Sequence, residues 1–256
     1  SFTDSVLSRL VAEALERNPE IKAAAHEREA ATQRVLPAGT LDDPMLEAGI
    51  INIPFPATSF RREDMTMKML GLSQRLPYPG KRGLREALAG KDAELTAFGY
   101  HETSNRVVRE VKAAYADLSL VVETTRIVER NRSVLEQFLT TAEVRYAVGQ
   151  TTQSDVLKAQ TQLSKMVEEL IRLGRERPSM QAELERAIAR TIREDEIVPA
   201  PLVVRELSLD LAALRERAER SRPQLLGLQS TIARAEKAIA LARTGRLVEN
   251  GKKEKA

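Results

Sequence analysis

Apolar residues recur at three- and four-residue spacings along most of the chain, the mark of helices that bury one face. Residues 3–36 carry such a stripe through Val6, Leu7, Leu10, Ala14, Leu15, Ile21, Ala24, Ala25, Ala31 and Val35. Thr3 or Asp4 can cap its start. Asn18-Pro19 predicts a break and a restart, because proline disfavours helix in the residue before it. Pro37-Ala38-Gly39 predicts the end. Residues 40–80 differ in kind. Prolines at 44, 54, 56, 77 and 79 exclude a long helix there, and residues 45–53 and 65–76 are strand candidates. In the second, Met65, Met67 and Met69 alternate with Thr66 and Lys68, a period of two. The apolar phase then moves to Leu70, Leu72 and Leu76, a shift that predicts a bulge. Each run is near the ~9–11 residues of a tilted strand that crosses a bilayer.

From Lys81 to Val148 no proline occurs. Val108, Val111, Tyr115, Leu118, Val122 and Thr125 follow the 3-4 spacing of a coiled-coil seam, which moves on through Val128, Leu135, Phe138 and Ala142. As one helix this segment is on the order of 100 Å long. The stretch YAVGQTTQSDVLKAQTQL then interrupts it. Gly149 suits the end of one helix; Thr151, Thr152 or Ser154 can cap the next, with Asp155 favoured by the helix dipole. A return stripe runs through Val156, Leu163, Val167 and Leu170, is disturbed at Gly174 and Pro178, and resumes at Met180, Leu184, Ala187, Ile188 and Ile192. After a polar, proline-marked segment over residues 193–201, Ser208 or Asp210 caps a last helix. Its stripe is Leu211, Leu214, Ala218, Leu225, Leu228, Ile232, Ala235 and Ile239.

That last helix repeats the first at one constant offset. Leu7 falls on Leu211, Leu10 on Leu214, Ala14 on Ala218, Pro19 on Pro223, Ile21 on Leu225, Ala31 on Ala235 and Val35 on Ile239. The shared proline in the same phase points to duplication.

Composition narrows the function. Charged residues make up 30% and aromatics 4% of the 256 residues, with no Trp, which suits long helices better than a compact core. The 40 basic and 37 acidic residues nearly balance at +3, against a nucleic-acid binder with its concentrated basic stripe. Lys252, Lys253 and Lys255 read as a solvated tail. With no cysteine, neither disulfides nor thiolate metal sites can form. No stretch approaches the ~20 apolar residues of a membrane helix. The chain starts at Ser1 with no visible signal peptide, as a mature or trimmed form would.

The order of motifs is a helix with NPEI, two strands, LPYPGKRG, a very long helix, YAVGQTTQSDVLKAQTQL, a return helix, and a second helix with RPQL and IALAR. It resembles the TolC-type outer membrane efflux family, especially its heavy-metal and cation branch, where a PGKR-like segment follows the second strand. The resemblance implies a mainly α fold. A long antiparallel helical hairpin contributes to an α-barrel, and a two-stranded β segment contributes to an outer-membrane β-barrel. It divides the chain into an N-terminal equatorial helix (1–39), a strand pair (40–80), a periplasmic hairpin (81–199, tip 146–155) and the start of a second repeat (200–256). It implies a homotrimer in the outer membrane of a Gram-negative bacterium, in contact with lipid, docked to a periplasmic adaptor and an inner-membrane pump. The role would be passive export of metal cations or drugs. Val148, Gly149, Gln150, Thr151 and Thr152 would form the docking tip, with Gln150 standing where the family has an apolar residue. Asp155 would be the acid near the closed end of the tube. Pro79, Gly80, Lys81 and Arg82 would form the strand-to-helix junction. The resemblance also implies that this chain is a truncated or fragmentary form, since the second pair of strands is missing.

Other chemistry is thin. His26 and His101 are lone histidines in charged surroundings and read as surface residues. Met65, Met67 and Met69 read as one apolar face of a strand, the alternative being a soft-metal contact. Asp42 and Asp43 read as a turn before Pro44. Lys81, Arg82 and Arg85 either open the helix or meet acidic headgroups. No nucleophile, base or phosphate loop clusters, so no enzyme and no cofactor are expected. The rival to a duct is a periplasmic coiled-coil protein of structural or adaptor type, without a pore.

Overall fold

The structure is a computed structural model that describes residues 4–51, 67–193, 197, 199 and 210–253. In chain order the elements are α1 (Ser5–Arg17), α2 (Pro19–Gln33), α3 (Val35–Gly39), β1 (Met45–Ile51), β2 (Met67–Ser73), α4 (Lys81–Ala147), α5 (Gln153–Ile188), α6 (Leu211–Ser221) and α7 (Pro223–Lys253). They form two compact units: Ser1–His26 with Tyr100–Ala218, and Glu27–Gly99 with Glu219–Ala256.

In the first unit the core joins α1, the middle of α4 and the end of α5. Leu10, Ala14, Val107, Val111, Leu118, Leu184 and Ile188 are buried there. Asp4 caps α1, its Oδ1 accepting the N–H of Val6 at 2.8 Å and that of Leu7 at 3.4 Å. Its other oxygen takes the Tyr115 hydroxyl, which ties the cap to α4. Burial works to raise the Asp4 pKa, but the Tyr115, Val6 and Leu7 donors hold it below its usual value. Of the two caps expected for α1, Thr3 lies outside the described residues.

The α1–α2 joint is held by one buried side chain. Asn18 ends α1, and its Oδ1 accepts the Glu20 N–H at 2.9 Å, which starts α2 behind Pro19. Its Nδ2 donates to the Ala187 carbonyl at 3.1 Å. That carbonyl is one of the four that the end of α5 leaves without a helical partner. Arg190 adds a two-pronged pair with Glu13, at 2.6 and 3.2 Å.

Several sequence expectations shift here. The buried stripe of α4 runs through Val107, Val111, Ala114, Leu118 and Val121, whereas Val108 and Val122 are only partly buried. The expected Val111, Tyr115 and Leu118 are buried, and Val107, Ala114 and Val121 join them. α5 runs unbroken through Gly174 and Pro178. Both are exposed, so the Gly174 carbonyl that loses its N–H partner at Pro178 faces water. The helix also stops before Ile192. Ala189 takes φ 56°, and the N–H groups of Ala189 and Arg190 bond back to Arg186 and Glu185. Ile192 still reaches the core from the loop, where Gln181 donates to its carbonyl at 2.9 Å and Glu185 accepts its N–H at 2.9 Å.

In the second unit β1 and β2 pair antiparallel, one residue to one, from Met45↔Ser73 to Ile51↔Met67. There is no bulge between them. The apolar phase shift instead marks the two faces of one sheet, with Met67 and Met69 on one and Leu70 and Leu72 on the other. Residues 52, 53, 65 and 66 lie outside the described residues, as do Pro54 and Pro56. Residues 74–76 leave the ladder, and Gln74 donates its side-chain amide to the Asp42 carbonyl at 3.3 Å. Asp42 and Asp43 lie in irregular chain rather than a turn. Pro37 sits in the first turn of α3, where no N–H is needed, so the helix includes it and ends at Gly39.

α7 packs on α4 with an unexpected face. A Cβ on Gly227 would stand 3.3 Å from Leu95 Cδ1 and 3.7 Å from Phe98 Cβ. Buried Ser230 donates to Glu94 at 3.1 Å, and Arg234 pairs with Asp92. Close approach and polar pairs, not apolar bulk, select this face. The expected stripe of Leu228, Ile232 and Ile239 is exposed. The duplication holds at the level of elements: Pro19 and Pro223 each open a helix one residue after another helix ends. Asp210 accepts the Ala212 N–H at 3.0 Å at the start of α6, while Ser208 lies outside the described residues. The backbone is helical through Lys253, and Lys255 lies outside the described residues.

Two substitutions check this packing by thermal or denaturant unfolding. Asn18→Ala strands a buried carbonyl and an N–H and should cost about 1–3 kcal/mol. Ala189→Gly removes the penalty of a side chain at φ 56° and should stabilise by about 1 kcal/mol.

Candidate functional site

The reversal between α4 and α5 is built from five residues. Leaving α4, the Val148 N–H bonds to the Val144 carbonyl at 3.3 Å, that of Gly149 to Tyr146 at 3.0 Å, and that of Gln150 to Arg145 at 2.8 Å. Gly149 takes φ +74°, a conformation that strains any L side chain. Thr152 is the N-cap of α5; Ser154, an alternative from the sequence, already lies inside the helix. Asp155 is the hub. Its Oδ2 accepts the Thr152 hydroxyl at 2.8 Å, the Thr151 hydroxyl at 3.0 Å and the Thr152 N–H at 3.4 Å. The backbone contact is one arm of a capping box. These donors, Thr152 first, then Thr151, with Lys158 at 3.6 Å adding charge, hold the Asp155 carboxyl below its usual range.

Val148 and Gln150 are exposed at the end of the turn. Beside it a groove of about 340 Å³ opens between the two helices. It is lined by Leu135, Phe138, Ala142 and Ala159, together with Arg145 and Lys158. The groove was not readable beforehand, because it joins residues far apart in the chain. The turn's position was signalled by Gly149 and by the candidate caps Thr151, Thr152 and Ser154 after it.

The junction before α4 uses the same device. Gly80 takes φ +86°, the Lys81 N–H bonds to the Tyr78 carbonyl at 3.1 Å, and Arg82 donates to the Gly39 carbonyl at 2.8 Å. Arg82 therefore ties the end of α3 to the start of α4. Gly39 leaves room for Glu86, whose Oε2 would lie 2.8 Å from a Cβ there. His26 and His101 are exposed, and the Tyr100 and His101 rings meet edge to face at 5.4 Å. Met67 and Met69 are exposed on the sheet, and Met65 lies outside the described residues. Among the described residues no three His, Asp or Glu side chains converge on a point that could hold a metal ion. None of the described helices is long and apolar enough to cross a membrane.

A restarted helix, a two-stranded sheet and a long reversing helical pair, in this order, define a class of hairpin proteins. The chain belongs to the outer membrane efflux protein family, which residues 10–190 match. Its family is one of transport ducts, not enzymes. Solved channels share the fold. The outer membrane protein VceC of Vibrio cholerae superimposes with a TM-score of 0.71 at 17% identity, over 94% of this chain and 59% of that one. The MtrE outer membrane channel of Neisseria gonorrhoeae gives 0.73 at 19% identity, over 93% and 54%. CusC, solved in a study of folding and transmembrane channel formation, gives 0.73 at 15% identity, over 95% and 57%. The chain thus spans little more than half the length of each. Among curated proteins none matches the sequence.

The Asp155 network sets a pH dependence. Its folded pKa is depressed, so its contribution is present above the usual carboxylate pKa and is lost as pH falls through the depressed value. Asp155→Ala should lower the melting temperature at neutral pH and flatten the loss of helix stability on acidification. Thermal circular dichroism at neutral pH and near pH ~3 checks both.

Proposed function

We propose that this chain supplies staves and wall strands to a passive outer-membrane export duct of a Gram-negative bacterium. The duct is a homotrimer in the complete family form. Residues 146–155 dock on a periplasmic adaptor, and an inner-membrane pump drives the export. The observation that supports this most is the second, uncovered seam of the hairpin. On α4, Leu120, Ile127 and Val134 recur every seven residues, and all are exposed. On α5, Leu157, Val167 and Ile171 are exposed as well. Seven-residue apolar spacing is a helix-pairing pattern. A hairpin with further seams on its outer faces suits a wall of neighbouring helices better than an isolated coil.

In this reading Val148, Gly149, Gln150, Thr151 and Thr152 meet the adaptor, with Gln150 making a polar contact where relatives are apolar. Asp155 is the acid at the narrow end, already oriented by Thr151 and Thr152. Metal cations are the favoured cargo, drugs the alternative, by similarity of the PGKRG junction to the cation branch. No catalytic step and no cofactor enter the function.

Fractionating cells that express the native protein tests the reading against the pore-free periplasmic alternative. The duct reading expects recovery in the outer-membrane fraction, released only by detergent. Recovery solely in the soluble periplasmic fraction would exclude it.

A further inference from the structure

The two faces of the β1–β2 sheet differ in chemistry. Opposed residues share a face and successive residues alternate. The register therefore places Leu46, Ala48 and Ile50 with Lys68, Leu70 and Leu72. Met45, Glu47, Gly49, Met67, Met69, Gly71 and Ser73 lie on the other side. On the first face Leu46, Leu70 and Leu72 are 71%, 78% and 76% exposed. On the second, long side chains lie flat over glycines. A Cβ on Gly71 would meet Glu47 Cβ at 3.8 Å and its Oε2 at 4.0 Å, and one on Gly49 would meet Met69 Cε at 3.9 Å.

We infer that the Leu46–Ala48–Ile50–Leu70–Leu72 face contacts the acyl chains of the bilayer, and that the Glu47–Met69 face lines water. The assignment rests on the duct reading above and adds the orientation of this sheet. Polarity separates the faces: five of the six residues on the first are apolar, whereas the second carries Glu47, Ser73 and two glycines beside exposed Met45, Met67 and Met69. The carboxylate and the hydroxyl of the two strands, Glu47 and Ser73, share the second face. Lys68 is the single charge on the first, one rung from the end of the ladder, where a long ammonium stem can reach headgroups. Contiguous exposed leucines on the first face favour an apolar medium over water. The glycines give the second face a low profile, with Glu47 as the carboxylate presented to the aqueous side.

The chain has no cysteine, so single spin labels can be placed without background. The full chain carrying a label at 46, 48, 70 or 72, or at 47, 69 or 71, is reconstituted into phosphatidylethanolamine–phosphatidylglycerol vesicles. Relaxation by oxygen and by a water-soluble nickel chelate is then compared. The inference expects a period of two, with the oxygen-to-nickel ratio several-fold higher at 46, 48, 70 and 72 than at 47, 69 and 71. Vesicle-bound protein with the opposite phase, or with no alternation, overturns this inference alone. A chain that never floats with the vesicles overturns the duct reading and this orientation with it. Seven label sites guard against one that perturbs folding.

Discussion

A helix packed against a single partner can hide one stripe of its surface and no more. α4 has 67 residues and α5 has 36, and they return along each other from a five-residue turn. Inside the first unit the shared stripe is filled by Val107, Val111, Leu118, Leu184 and Ile188, with α1 closing it. Everything apolar beyond that stripe needs another partner. The same limit governs the sheet: among the described residues β1 and β2 pair only with each other, and a face of leucines is exposed. An open edge in lipid leaves backbone groups without hydrogen bonds, at several kcal/mol each. The chain therefore makes sense as a component of a larger wall.

Where the fold is self-sufficient, it is held by polar precision at helix ends. Asn18 serves the start of α2 and the end of α5 at once. Asp4 serves the start of α1 and the Tyr115 hydroxyl of α4. Asp155 gathers three donors at the start of α5. Each reuses backbone groups that helices leave unpaired. Stability at these points and the placement of the turn are one problem, because a long hairpin is aimed by its root and closed by its tip.

Much of this was legible in the sequence. The proline-free run predicted α4 to within a residue, Pro19 and Pro223 marked both restarts, and Gly149 marked the reversal. What stayed hidden has physical causes. The contact face of α7 is made by Gly227, Ser230 and Arg234, residues that a hydrophobic pattern scores as surface. Pro178 reads as a breaker, yet an exposed i−4 carbonyl lets the helix continue. Ala189 gives no glycine signal for the left-handed residue that ends α5. The apolar phase shift at Leu70 looked like a bulge because a strand with apolar residues on both faces has no single phase. At the turn, the choice of Thr152 over Ser154 as cap depends on where α5 begins. The groove beside it exists only once Leu135 and Ala159 are brought together.

The central claim is that the outer seam of the hairpin is covered by neighbouring helices in the working assembly. Maleimide labelling of Ile127→Cys and Val134→Cys, in the otherwise cysteine-free chain, tests this directly. Both positions should label rapidly in the isolated chain and be strongly protected in the outer-membrane assembly. Equally rapid labelling in both states would contradict the claim.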